Sequence, residues 1–125
     1  MGGVEVDIKG DTITMKDDEG TEITMGGTDW PSSDLVKNIP KFEDGKVLLV
    51  MEMEDTLVIN LDEVSKEDFE KYLEKIKKDF ANEVYEINAE GSLSYGGENE
   101  GRIGIQIFYS SETGGVSITL AKMRD

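Results

Sequence analysis

Apolar side chains recur at every second position along most of this chain, and at every third or fourth in one stretch. Val4, Val6 and Ile8, then Ile13 and Met15, then Ile23 and Met25 alternate with polar residues. A period of two predicts strands. Lys9-Gly10-Asp11 and Asp17-Asp18-Glu19-Gly20 interrupt the alternation with turn-forming residues. The triplet Ile-Thr-Met stands at 13–15 and again at 23–25, which reads as two arms of one hairpin within an N-terminal region 1–27.

The pattern changes at Trp30-Pro31. Pro31 presets a helical first turn, Leu35, Val36 and Ile39 fall at helical spacing, and Pro40 ends the run. A helix this short is unstable alone and needs packing to hold it. After Gly45, the alternation of Val47, Leu49, Met51 and Met53 predicts a strand, and that of Leu57, Ile59 and Leu61 another, with Glu54-Asp55 as the turn.

Ser65–Asp79 has the helical period. Ser65 is the expected N-cap, Asp68 follows at capping-box spacing, and Val64 and Phe69 suit a hydrophobic staple. Phe69, Tyr72, Leu73, Ile76 and Phe80 make one apolar stripe, and Glu67–Lys71 and Glu74–Lys78 are i,i+4 pairs. Strands return at Val84–Ala89, Ser92–Tyr95, Ile103–Tyr109 and Val116–Leu120, with Gly96-Gly97 and Gly114-Gly115 as turns. Val116–Lys122 reads as a sheet edge guarded by Lys122 and Arg124.

These elements predict one α+β domain over 1–125, with a mostly antiparallel sheet and one main helix packed on a face. If Val47, Leu49, Leu57, Ile59, Ile103 and Ile105 face that helix, Leu48, Val50, Val58 and Phe108 point the other way and need a cover. The expected cover is the N-terminal hairpin together with the Trp30–Pro40 segment. That role accounts for the chain's one tryptophan and both prolines falling in a single short stretch.

Composition narrows the chemistry. The 125 residues carry 28 acids and 13 basic residues, a formal charge of −15. Ser65–Asp79 is neutral in itself, so the excess sits in strands and turns. Such a surface repels phosphate backbones, which argues against nucleic acid; it serves solubility first, and could also dock on a basic protein partner. Cysteine and histidine are both absent, which removes disulfides, thiol nucleophiles, imidazole bases and the common zinc sites. No apolar run is long enough to span a membrane.

Candidate sites are few. Asp17, Asp18 and Glu19 on one turn, and Glu98, Asn99 and Glu100 on another, offer hard oxygen ligands of the kind a weak calcium site uses, without the twelve-residue EF-hand spacing. Ser94 lacks the first glycine of a nucleophile elbow, and no Ser-x-x-Lys or phosphate-binding loop is present. Glu52 and Glu54 share a strand face and are a candidate carboxylate pair for a small hydrolase. No catalytic residue or cofactor is otherwise expected, and the chain reads as a monomeric, non-enzymatic module.

From Trp30 onward, one run of features resembles an uncharacterised domain of extracytoplasmic lipoproteins from clostridial-type Gram-positive bacteria. The run is Trp30-Pro31, Pro40, Gly45-Lys46-Val47, Ser65-Lys66-Glu67-Asp68-Phe69, Tyr72 and Tyr95, followed by the strand Ile103–Tyr109. The resemblance covers 28–125. It implies a leader and a lipid-anchoring cysteine outside this chain, a place in the cell envelope, and no catalytic residues; the chain's own residues leave a cytoplasmic location open. The family closes its helix with Gly-Phe where this chain has Asp79-Phe80, so the helix is expected to run on to Ala81-Asn82.

Overall fold

The computed structural model describes residues 4–9, 12–18, 21–25, 30–31, 34–43, 45–53 and 55–122. Among them, two meanders are joined by a helix into one antiparallel sheet. The first meander is β1 (Glu5–Lys9), β2 (Thr12–Lys16), β3 (Glu22–Met25), β4 (Lys46–Glu52) and β5 (Thr56–Asp62). Helix α1 (Lys66–Asp79) then carries the chain over to β6 (Asn82–Ala89). From there β7 (Ser92–Glu98), β8 (Ile103–Ser110) and β9 (Gly115–Lys122) return, until β9 pairs with β5. The strand order is β1-β2-β3-β4-β5-β9-β8-β7-β6. The α+β reading, a mostly antiparallel sheet with one helix, holds.

Register explains where the core sits. Leu57, Ile59 and Leu61 of β5 stand opposite Leu120, Ile118 and Val116 of β9, and these opposite Ile105, Ile107 and Tyr109 of β8. All nine are buried. They share one face because side chains alternate along a strand. Phe69, Tyr72, Leu73 and Ile76 of α1 bury against that face, each such side chain contributing up to about 1.5–3 kcal/mol.

Three tyrosines fasten the helix. Tyr109 donates its hydroxyl to the Val64 carbonyl just before α1 (3.2 Å), and Tyr95 to the Phe80 carbonyl just after it (2.8 Å). Tyr72, on α1 itself, donates to the Pro40 carbonyl at 2.7 Å. A buried phenol is held neutral, and burial accordingly pushes the Tyr72 hydroxyl's pKa up.

The helix start is as its residues imply. Ser65 Oγ accepts the Asp68 amide at 3.1 Å, and Val64 and Phe69 are both buried. Glu67–Lys71 closes to 3.7 Å. Ser65→Ala is expected to lower stability by about 1 kcal/mol in a urea titration, because that amide loses its partner. The helix end differs from expectation. It stops at Asp79, and Phe80 caps it, fully buried, with its amide on the Ile76 carbonyl. Burying that ring while Tyr95 holds its carbonyl turns the chain away before Ala81.

The Trp30–Pro40 segment lies elsewhere than expected. Leu35–Asn38 is a short 3-10 helix, and Leu35, Val36, Ile39 and Phe42 join the same core as α1. The Phe42 ring lies 4.4 Å from that of Tyr72, and Trp30 packs partly buried against the same cluster. The stiff stretch therefore extends the helix layer, and does not seal the opposite face. The N-terminal strands do not seal it either. β2 and β3 form the expected hairpin, Ile13 opposite Met25 and Met15 opposite Ile23, but β3 pairs edge-on with β4 and lengthens the sheet.

Two further expectations are corrected. A register shift between Val47 and Leu49 rotates the rest of β4, so Val50 stands opposite Ile59 and is buried, while Leu49 stands opposite Asn60 on the other face. Gly96-Gly97 lies inside β7 and makes no turn. The turn comes at Asn99–Arg102, while Gly114 (φ 73°) does serve the β8–β9 turn. Glu54 and Arg124 lie outside the described residues.

Candidate functional site

The register rows turn the face opposite α1 into a map. One row runs Val6, Met15, Ile23, Met51, Val58, Thr119, Gln106, Gly96, Tyr85, crossing all nine strands. The row beside it ends Asn60, Ser117, Phe108, Ser94, Ile87. Apolar side chains thus stand at both ends of this face, with polar ones between. Val6 and Ile8 on β1 are 56% and 66% exposed, and Ile87 on β6 is 59% exposed.

On β1–β3 the polarity is reversed relative to the centre of the sheet. The side facing the helix layer carries Glu5, Asp7, Thr14, Lys16, Glu22 and Thr24, and the apolar side faces away from α1. A β-strand buries whichever face is apolar, and no described element lies over this one.

Two carboxylates meet on the helix side. Glu22 and Glu52 are register partners on β3 and β4, and Lys16 Nζ approaches Glu22 at 3.9 Å. Partial burial, and then the neighbouring Glu22 charge, raise the pKa of Glu52 above the ordinary carboxylate range. The folded chain therefore binds this proton more tightly than the unfolded chain does. Stability from this group is full below the unfolded pKa, about 4.3, and falls as pH rises through the folded value. Glu52→Gln is expected to raise the thermal midpoint at pH 7, with the gain vanishing below about pH 4. A lower midpoint at pH 7 would show instead that the native state uses the charge.

The candidate cation ligands are distributed over two turns at the same end of the sheet. Asp17 Oδ1 accepts the Thr21 amide at 3.0 Å and closes the β2–β3 turn. Asn99 Oδ1 accepts the Ile103 amide at 2.9 Å, and its Nδ2 donates to Asn38. Asp18 flanks the first turn, Glu98 and Glu100 the second, and Glu19 lies outside the described residues. Five strand spacings, about 24 Å, separate the two turns, so they do not converge on one ion. Among the described residues no three acidic side chains group as a metal site.

Compared with family models, curated proteins and solved structures, the chain matches none.

Sequence reading missed the feature that most distinguishes the sheet's far side, the β6 edge. All eight residues of β6 are exposed, and among the described residues it pairs only with β7. Val116–Lys122, expected at an edge, is central between β5 and β8. One contact anchors β6 from the helix side: Lys77 Nζ meets Glu86 Oε1 at 2.8 Å and sits 5.8 Å from the Tyr95 ring centre. The hydrogen bond to Glu86 raises the Lys77 pKa. With both side chains about a third exposed, such a pair contributes at most about 1 kcal/mol.

Proposed function

We propose that this chain is a non-enzymatic binding or structural module of a cell-envelope lipoprotein, acting outside the cytoplasm as a monomer toward a basic protein partner. The observation that carries the reading is the open face of the sheet. Val6, Ile8 and Ile87 are more than half exposed, Val6 and Ile8 in register with Met15 and Ile13, and Ile87 one strand removed from Phe108 across Ser94. Exposed apolar side chains at each end of a polar sheet face suit coverage by another protein. The charge of −15 favours a basic partner and opposes self-association.

The cell-envelope placement rests on the run from Trp30-Pro31 to Ser65-Lys66-Glu67-Asp68-Phe69 and its resemblance to the lipoprotein domain. Metabolic labelling of the full-length gene product with a radioactive fatty acid tests it. Label in the membrane fraction, lost when an upstream lipobox cysteine is replaced by serine, is the expected result. An unlabelled product in the cytoplasmic fraction would overturn the placement.

A further inference from the structure

The β6 edge has the chemistry of a strand acceptor. An edge strand offers a row of unpaired backbone groups, and folds usually blunt it with lysine, proline or a bulge. Here the bulge protects one end only. The register shifts between Asn82 and Tyr85, and Glu83 takes a left-handed conformation (φ 52°). From Tyr85 to Ala89 the pairing with β7 is regular for five residues. Neither lysine nor proline stands on this edge.

The segment's own charge has one sign, although Lys77 of α1 pairs with Glu86 from the helix side. From Asp79 to Gly101 the sequence has six acids (Asp79, Glu83, Glu86, Glu90, Glu98 and Glu100) and not one lysine or arginine. The two faces of the edge differ. Tyr85 and Ile87 are exposed on the side away from α1, with Phe108 (43% exposed) reached from Ile87 across the small Ser94. On the helix side stands Glu86. Beside Tyr85, an open groove of about 300 Å³ runs over Gly104 with Glu83 and Glu98 on its walls.

We propose that β6 accepts an extended segment of a protein partner, one in which lysine or arginine alternates with apolar residues, as a tenth strand. Backbone pairing along Tyr85–Ala89 supplies the attachment. The partner's apolar residues lie over Ile87 and Phe108, and its cations, on the other face, meet Glu90 and the Glu86 that Lys77 already holds. The proposal rests on the basic-partner reading above and gives that partner a place and a conformation.

The test uses the whole chain, isotopically labelled, titrated with two capped synthetic peptides followed by amide NMR shifts. One alternates lysine and valine; the other has the same composition with its lysines in one block and its valines in another. The alternating peptide is expected to shift amides of Tyr85–Ala89 and β7, to protect the β6 amides from exchange, and to bind at least about ten-fold more tightly than the block peptide. Ile87→Lys should weaken it by about ten-fold or more through like-charge contact. Because Ile87 is 59% exposed, that variant should fold normally. Equal binding of both peptides, or shifts centred on β1, would overturn the edge proposal while leaving a basic partner in place. Binding of neither would overturn both the edge and the basic partner, and would leave the fatty-acid experiment to decide the placement alone.

Discussion

Phe69→Ala is expected to lower the free energy of unfolding by about 3–5 kcal/mol, among the largest losses from any single truncation in this chain. Phe69 is 1% exposed, and its ring stacks on Tyr109 at 4.6 Å with a 12° interplanar angle. It stands in the first turn of α1, where its amide bonds the Ser65 carbonyl, so its loss weakens the helix entry and opens a cavity over the centre of the sheet. Tyr109 would lose its stacking partner while its hydroxyl stayed on the Val64 carbonyl. Urea unfolding read by helix circular dichroism measures the loss, with Val6→Ala as a surface control expected within about 0.5 kcal/mol of the parent. A loss near 1 kcal/mol for Phe69→Ala would mean that α1 is not seated on β8 as described.

That helix was the most legible part of the sequence. Its cap, staple, apolar stripe and one of its ion pairs all depend on residues within a few positions of each other, and local rules suffice there. The strands were legible as strands for the same reason, but their phase was not always so. Across Val47-Leu48-Leu49-Val50-Met51 every residue is apolar, so alternation carries no phase. Pairing with β5 and the shift at Leu48 decide which side chains enter the core. Phe42 went unnoticed because it stands alone between Lys41 and Glu43. Only its contact with Tyr72, thirty residues on, shows that it is core.

Sheet order was the least legible link, and it bears most on function. β9 follows β8 at the end of the described chain, which makes it read as an edge. Helix α1 instead carries β6 to the far side, and the return meander brings β9 back to the centre. The edge is thereby moved from a segment holding Lys122 to one surrounded by glutamates. The reversed polarity of β1–β3 has a related cause. Alternation in Val4–Met25 shows that one face is apolar, yet only the pairing of β3 with β4 reveals that this face is turned away from the helix layer.

Gly97→Ala and Gly96→Ala should part company, although the two glycines are neighbours on one strand. A Cβ on Gly97 would fall 2.5 Å from the Phe80 carbonyl oxygen. That oxygen belongs to the backbone at the helix cap and accepts the Tyr95 hydroxyl, so it cannot move aside without loosening both. A loss of about 2–3 kcal/mol is expected, at the upper end for overpacking. A Cβ on Gly96 would instead meet the ring of Tyr85, which is 44% exposed and can swing into solvent. The gain of about 0.4–1 kcal/mol from a stiffer unfolded chain then offsets most of the displacement, and Gly96→Ala should lie within about 1 kcal/mol of the parent. Urea midpoints for the two variants decide the matter. Equal losses would mean that Tyr85 is held as firmly as the Phe80 carbonyl, and the β6 edge would then be rigid rather than free to admit a new strand.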